Sequence, residues 1–331
     1  MKFVTLIPIG PKKKELERLS DLLASLFSFE DPEKCGVLLI NDGNSRTQLE
    51  EVCGRYNLLQ CAILDNPREG RGVGWSDGLT VGVLAGLQWV ARQMPPANFV
   101  LKLDTDSLVI GPFSDKVEGF FQREVTVGMI GTHLREPSGA STNSIRDWAP
   151  KIKKLQRLFT IWQSQKRWHF QIGFWGRDRR IQKLIADAAH AGYVLGESCQ
   201  GGAYALSATA LQRLNGQGLL DDSFLFFNRR ITEDIVVGLL TRLVNLQLAD
   251  FNAHGQPFGV TWRGLCAAPA ELLRCGYAII HSVKDDGAYL ERETRAYFAE
   301  HRTKLNNRDQ ATGTLLEGGD GTDPGAPASA A

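Results

Sequence analysis

The stretch Phe99-Val-Leu-Lys-Leu-Asp104-Thr105-Asp106 decides the expected fold of this chain. A continuous apolar run, in a chain that alternates strands and helices, is typical of a central strand buried on both faces. Asp104 and Asp106 follow the run two residues apart, so in an extended segment their side chains point the same way. Two carboxylates at the end of a buried strand are costly unless positive charge lies beside them. The pattern therefore predicts that both reach one hard divalent cation, with Thr105 turned aside.

The segments before this strand alternate between strand-like and helix-like patterns. The patterns predict strands at Phe3–Pro8, Val37–Ile40 and Ala62–Leu64, and helices at Lys12–Phe29, Thr47–Tyr56 and Leu79–Gln93. This order predicts an α/β fold with a Rossmann-like, mostly parallel sheet flanked by helices. Ligands in such sheets bind at the carboxyl ends of the strands, where Pro8, Asp42 and Asp104 all lie.

The second half of the chain has a more mixed pattern. Strands are predicted at Val125–Gly131, Tyr204–Leu206, Leu246–Phe251, Phe258–Trp262 and Tyr277–His281, and helices at Pro150–Trp168, Ala208–Leu214, Glu233–Leu243 and Ala288–His301. From about residue 306 the composition is rich in Gly, Ala, Pro and Thr, which predicts a disordered tail over 306–331.

The composition is that of a soluble globular protein. The chain has 331 residues, 43% of them hydrophobic and 23% charged, and its net charge of +1 gives no general attraction to nucleic acid. The six cysteines show no CxxC spacing, which argues against a zinc or disulfide framework and for a reducing, cytoplasmic setting. No apolar run approaches the length of a membrane span, and the apolar residues after Met1 are too few for a signal peptide.

Three further motifs lie where the expected sheet would bind a ligand, and each has two interpretations. Asp42 either caps the next helix through an Asx turn or accepts hydrogen bonds from a nucleoside. The Gly-rich segment 66–78 is either a flexible surface loop or a segment that approaches a diphosphate closely, with Arg68 and Arg71 contacting it and Asp77 near its end. Gly201-Gly202 is either a tight turn or a place where a ligand passes close to the backbone.

Two motifs late in the chain carry groups suited to catalysis or metal binding. Thr232-Glu233-Asp234 reads as a helix start with acids in the first turn, or as a general base aimed into a cleft. His281 ends an apolar strand and is either structural or a third ligand, beside Asp104 and Asp106, of an oxygen-rich Mn²⁺ site.

The ordered set of these motifs resembles a GT-A-fold nucleotide-sugar-dependent glycosyltransferase. The N-terminal third is similar to the large inverting family of bacterial glycosyltransferases, and the segments 201–207 and 233–238 resemble β-1,3-glycosyltransferases related to fringe. The resemblance implies that Asp104, Asp106 and His281 bind Mn²⁺ or Mg²⁺. It also implies that Asp234 deprotonates the acceptor hydroxyl, with Glu233 as the rival base. The nucleotide-sugar site is predicted to include Pro8, Asp42, Arg71, Asp77, Asp104, Thr105, Gly201 and Gly202.

The same resemblance sets the expected organisation and partners. We expect one catalytic domain over 1–305, with a nucleotide-sugar-binding half at 1–110, a basic, Trp-rich insertion at 132–200 and an acceptor half at 201–305. The partners would be a nucleotide-sugar donor and a glycan, glycolipid or other hydroxyl acceptor, with no nucleic acid. Residues 146–183 hold eleven Lys and Arg against two Asp and fit either a solvated basic helix face or a contact with an acidic acceptor or the inner, anionic membrane surface.

Two other functions fit parts of the pattern. The segment Val100 to Leu108 resembles the nucleophile strand of haloacid-dehalogenase-type phosphatases, in which Asp104 would be phosphorylated and Asp106 would act as acid and base. That motif normally opens its domain, whereas four strand–helix units precede it here. A non-catalytic module of the same fold that binds carbohydrate is the remaining alternative.

Overall fold

Two sheets organise the chain in a computed structural model, which describes residues 1–162, 172–285 and 288–317. The strands are β1 (Phe3–Ile9), β2 (Cys35–Asn41), β3 (Gln60–Asp65), β4 (Phe99–Leu103), β5 (Leu108–Val109), β6 (Val127–Gly131), β7 (Ala203–Ser207), β8 (Gln247–Asp250), β9 (Phe258–Val260) and β10 (Ile279–His281). Seven of them form a sheet in the order β3-β2-β1-β4-β7-β6-β8, and three form a smaller sheet in the order β5-β10-β9. Within the larger sheet, β7 runs antiparallel to β4 and β6, and the other pairings are parallel.

Helices cover both faces of the larger sheet, as the apolar strands predicted. They are α1 (Lys13–Leu26), α2 (Arg46–Cys53), α3 (Leu79–Gln93), α4 (Ser114–Arg123), α5 (Ser144–Trp162), α6 (Ile172–His190), α7 (Ala208–Gly216), α8 (Glu233–Leu243), α9 (Pro269–Arg274) and α10 (Glu291–Glu317). In β1, Val4 and Leu6 join the apolar cluster formed with α3 and α8, whereas Phe3 and Ile7 join the cluster formed with α1. Alternate side chains of β1 thus pack into the apolar clusters on opposite faces of the sheet. Both faces of the strand are therefore apolar, and its sequence is a continuous apolar run.

The sheet register brings several motifs to one edge. Because β4 and β7 are antiparallel, the residues just after β4 meet those just before β7, and the Asp104 amide donates to the Gly202 carbonyl at 2.9 Å. Strand β5 follows Asp106 and pairs with β10, with Leu108 opposite Ile280. His281, the last residue of β10, is carried to the acidic pair by this pairing.

The C-terminal helix differs most from the prediction. It was expected at Ala288–His301, but α10 begins at Glu291 and continues to Glu317, so part of the predicted disordered tail is helical. Ion pairs to α1 hold this helix: Glu291 binds Arg18 at 2.6 Å, and Arg295 and Arg302 bind Asp21 at 2.7 and 2.9 Å. Composition alone does not reveal such long-range pairs. Residues 318–331 lie outside the described part of the chain.

The insertion contains more helix than expected. The helix predicted at Pro150–Trp168 begins earlier, at Ser144, and accommodates Pro150 inside it, while its predicted end lies outside the described residues. Helices α4, α6 and α9 were not predicted. The expected division into functional segments remains a prediction.

Candidate functional site

The three residues predicted to bind a metal lie together at the carboxyl edge of β4. One ligand atom from each of Asp104, Asp106 and His281 can be chosen so that all three lie within 4.8 Å of one another. The Nε2 atom of His281 is 3.3 Å from Asp106 Oδ2 and 4.0 Å from Asp104 Oδ2. Two carboxylates and an imidazole form a donor set that suits Mn²⁺ and is compatible with Mg²⁺.

A hydrogen bond to the backbone of Thr261 fixes the orientation of the His281 ring. Its Nδ1 lies 2.8 Å from the carbonyl oxygen of Thr261, which can only accept, so Nδ1 carries the proton. Nε2 is therefore the atom turned towards Asp106 and Asp104, the arrangement usual for metal-bound histidines. Burial alone would lower the pKa of His281, but Asp106 outweighs it and raises the pKa above its ordinary value. A positive charge at Nε2 is thus favoured by the surroundings.

Asp106 is held as an anion by three neighbours. Ser282 donates to its Oδ2 at 2.8 Å, Lys284 Nζ lies 2.8 Å from the same atom, and His281 completes the set. Burial would raise the pKa of Asp106, yet the charges of His281 and Lys284 hold it well below its ordinary value. The carboxylate is therefore ionised and available to a cation across the neutral pH range.

Gly201 and Gly202 separate the metal-ligand cluster from a second pair of acids. A Cβ on Gly202 would lie 2.2 Å from Cγ of His281, and a Cβ on Gly201 would lie 2.7 Å from Oε1 of Glu233. A Cβ at Gly202 would clash with the imidazole ring, whereas a Cβ at Gly201 would meet only the end of the Glu233 side chain. Side chains of the protein, His281 and Glu233, therefore lie against the two glycines, and the approach of a ligand there stays a prediction.

The second pair consists of Glu233 and Asp234 in the first turn of α8. Glu233 is fully buried, and this burial raises its pKa to about 7, with Lys102 opposing the shift. Burial also raises the pKa of Asp234, whose Oδ2 accepts from the Ser198 hydroxyl at 3.2 Å. Carboxylates with raised pKa values are suited to taking up a proton near neutral pH.

Lys102 joins the two acidic groups and was missed by sequence reasoning. Its side chain is 1% exposed, and Nζ lies 2.6 Å from Asp104 Oδ1 and 3.1 Å from Glu233 Oε1. It also donates to the carbonyl oxygen of Gly201. Burial would lower the pKa of Lys102, but Asp104 and Glu233 outweigh it and raise the pKa. The available signal was a lysine inside an apolar strand, two residues before Asp104 and therefore on the same face.

A cationic cavity of about 90 Å³ lies next to the metal-ligand cluster. Its lining includes Arg263, Lys284, Tyr289 and Thr294, and Lys284 also contacts Asp106. The guanidinium of Arg263 stacks over the ring of Trp262, which is 71% exposed, at 4.5 Å from the ring centre. Positive charge and an open aromatic face therefore border the acidic centre on this side.

The predicted nucleoside-binding residues have other contacts. Pro8 lies near the end of β1, opposite Ile40. Asp42 is engaged by Arg68, which donates to its Oδ1 through Nε at 2.8 Å and to its Oδ2 through Nη2. This pair is mostly buried and joins the second strand end to the Gly-rich loop, while nucleoside binding by Asp42 stays a prediction.

The other predicted donor-site residues also hold loops together. Arg71 is largely exposed, donates to the Arg68 carbonyl at 2.9 Å and lies over the ring of Phe224. Asp77 is buried and accepts from the Arg230 amide at 3.1 Å. The Thr105 hydroxyl donates to Glu15 of α1, so it is turned aside as predicted and not towards the cation ligands.

Comparisons with known proteins give likenesses of fold only. No protein-family model matches the chain, and no curated protein matches it. Similar solved structures include the mannosyltransferase PcManGT from Pyrobaculum calidifontis in complex with GDP-Man and Mn²⁺, with 12% identity and a TM-score of 0.42, covering 98% of this chain and 66% of that one. They also include the galactosyltransferase LgtC in complex with donor and acceptor sugar analogues, with 12% identity, a TM-score of 0.46 and coverage of 93% and 96%.

With TM-scores below 0.5, these likenesses carry no weight for activity, substrate or residue roles. The sheet topology itself confirms the predicted fold class at the level of an α/β fold with a mostly parallel sheet flanked by helices. Within the described ranges, no helix combines the length and the apolar character needed to cross a membrane.

Proposed function

We propose that this chain is a metal-dependent glycosyltransferase that moves a sugar, of the hexosyl type, from a nucleotide-diphospho-sugar donor to an acceptor hydroxyl with inversion. One observation carries the proposal: the Asp104, Asp106 and His281 ligand atoms lie within 4.8 Å of one another, beside two acids of raised pKa, Glu233 and Asp234. A cation-binding group beside a proton acceptor is what transfer from a diphosphate to a hydroxyl requires.

On the donor side, Asp104, Asp106 and His281 would hold Mn²⁺ or Mg²⁺, with Mn²⁺ favoured by the imidazole. When bound, such a cation neutralises the charge that develops on a departing diphosphate. Lys284 and Arg263 line the adjacent cationic cavity and would bind phosphate oxygens. The donor would then place its anomeric carbon towards Gly201 and Gly202, between the phosphate-binding groups and the acid pair.

On the acceptor side, Asp234 would accept the proton of the attacking hydroxyl. The acceptor oxygen then forms the bond to the anomeric carbon while the bond from that carbon to the diphosphate oxygen breaks, and the nucleoside diphosphate leaves with the electron pair. Asp234 is half-buried whereas Glu233 is fully buried against Lys102, so Asp234 is the better placed to meet a substrate. The Ser198 hydrogen bond would hold the Asp234 carboxylate in one orientation.

The proposed acceptor is a glycan, a glycolipid or another hydroxyl compound. Exposed Trp262 offers a flat apolar face for a sugar ring near the site.

A cytoplasmic setting with peripheral contact to an anionic membrane through 146–183 is part of the proposal. Among the described residues, the first turns of α5 support the membrane contact, because they pair basic and aromatic side chains. There Lys151 Nζ lies 3.7 Å from the centre of the Trp148 ring. Binding to vesicles with and without anionic lipid tests this contact.

A thermal-shift screen of nucleotide sugars, with and without Mn²⁺, tests the donor side, because ligands that bind the folded state raise its stability. We expect Mn²⁺ to enlarge the shift that the nucleotide sugar gives, and this metal-dependent part of the shift to be lost in Asp106→Asn. The absence of any metal-dependent shift with every nucleotide sugar would refute the proposal.

Product formation tests the acceptor side once a donor is known. Asp234→Asn is expected to retain donor binding and to lose transfer by at least about a hundredfold, as for a positioned base. Undiminished turnover would remove Asp234 from this role, and Glu233→Gln then tests its neighbour. Hydrolysis of a generic phosphomonoester, abolished in Asp104→Asn, would instead favour the phosphatase alternative.

A further inference from the structure

We propose that Lys102 is a positioning residue that occupies one oxygen of Asp104, so that this carboxylate presents only its other oxygen to the divalent cation. The proposal deepens the function proposed above and rests on it, because the cation belongs to that function. It concerns the geometry of this chain's own ligand and can be tested without measuring activity.

The two oxygens of Asp104 have different neighbours. Oδ1 lies 2.6 Å from Lys102 Nζ, whereas Oδ2 is the oxygen that faces His281 Nε2, at 4.0 Å. A carboxylate free to rotate could offer a cation either oxygen or both. With Oδ1 bound to a buried ammonium group, the carboxylate is directed to offer Oδ2 alone.

Lys102 is itself held in place. Its Nζ donates to Asp104 Oδ1 and to the Gly201 carbonyl, and it forms an ion pair with Glu233, whose Oε1 lies 3.1 Å away. The side chain is 1% exposed and begins at the penultimate residue of the buried strand β4, so its stem cannot swing into solvent. Lys102 therefore links the position of the cation-binding carboxylate to that of the acid pair.

Positioning and simple charge repulsion predict opposite results when the ammonium group is removed. Repulsion between Lys102 and a bound cation would make binding tighter in its absence. Positioning makes binding weaker, because loss of a group that orients a metal ligand typically costs 10- to 100-fold in metal affinity. The sign of the change therefore distinguishes the two.

The experiment compares Mn²⁺ affinity in the full-length wild type and in Lys102→Met, measured from free Mn²⁺ by electron paramagnetic resonance and from thermal shifts. We expect the dissociation constant to rise about 10- to 100-fold in Lys102→Met. Lys116→Met is the matched control, because that exposed ammonium also donates to a glycine carbonyl, Gly255 at 3.0 Å. Its affinity for Mn²⁺ is expected to equal that of the wild type.

A second comparison covers the case in which Lys102→Met does not fold because Glu233 loses its buried counter-charge. Lys102→Met with Glu233→Gln has no such unpaired acid, and its Mn²⁺ affinity is compared with that of Glu233→Gln alone. Unchanged or tighter binding in the Lys102 variant overturns the positioning role and leaves the proposed function standing. A wild type that binds neither Mn²⁺ nor Mg²⁺ removes the proposed function, and this inference with it.

Discussion

Replacing Gly202 by alanine should disable the proposed metal site through one added methyl group. The new Cβ would lie 2.2 Å from both Cγ and Nδ1 of His281, whereas ordinary van der Waals contact begins at 3.4 Å. The ring or the backbone must therefore move by about 1 Å. The ring is held by Thr261 behind it and faces Asp106, so such a shift misplaces Nε2.

The expected effect can be worked out from a metal titration. At an Mn²⁺ concentration 100 times the wild-type dissociation constant, binding stabilises the fold by about 2.7 kcal/mol. If the misplaced ligand weakens binding 10- to 100-fold, as loss of a group that orients a metal ligand does, the stabilisation falls to between about 1.4 and 0.4 kcal/mol. Overpacking should also cost the metal-free protein about 1–3 kcal/mol of unfolding free energy.

The assay is chemical unfolding of Gly202→Ala with and without Mn²⁺. Gly216→Ala is the matched control, because the same methyl group there meets nothing within 4 Å, at the end of α7. That control should keep the full metal-induced stabilisation and equal or exceed the wild type in stability. If Gly202→Ala keeps the full stabilisation as well, then the contact between Gly202 and His281 does not set the geometry of the site.

Three further predictions concern buried charges. The pKa of Glu233 is about 7 in the folded protein against an ordinary 4.5, so the protonated side chain stabilises the fold. This stabilisation, about 3 kcal/mol, is fully present below pH 4.5 and is lost as the pH rises through 7. Glu233→Gln should flatten the dependence of unfolding free energy on pH. Glu291 has the opposite pH dependence: burial would raise its pKa, but Arg18 outweighs burial and lowers the pKa to about 2. The stability that ionised Glu291 contributes is present above pH 4.5 and is lost as the pH falls through 2. If a Glu291→Gln variant loses stability in acid to the same extent, Glu291 is not the group responsible. Asp42→Asn leaves Arg68 buried without its partner and should cost about 3–5 kcal/mol by denaturant unfolding; an unchanged midpoint would argue for a ligand-binding role of Asp42 instead.

Local sequence patterns predicted some elements to the residue. The strand at Phe99–Leu103 and the helix at Glu233–Leu243 have the expected bounds. Both carry strong signals, the first a continuous apolar run and the second a cap residue followed by helical periodicity. Helix α10 shows the limit of such signals, since its ion pairs to α1 join residues more than 270 positions apart.

The sequence predicted which residues form the candidate site better than it predicted the contacts between them. Asp104, Asp106 and His281 were named from strand ends, and the structure brings them together. Arg68 and Lys102 were not given their roles, because their partners, Asp42 and Glu233, come from distant segments. The role of a buried charged side chain depends on its ion-pair partner, and tertiary packing decides which partner it has.

The sequence by itself determined the type of sheet, the strand that ends in Asp104 and Asp106, and the acids that begin α8. These follow from burial and periodicity, which are local properties of the chain. Only the tertiary structure decided that β7 runs antiparallel beside β4, so that Gly201 and Gly202 separate the metal ligands from the acid pair. It also decided that Lys102 bridges the two groups, because a buried charge is stable only where the fold brings opposite charges to it.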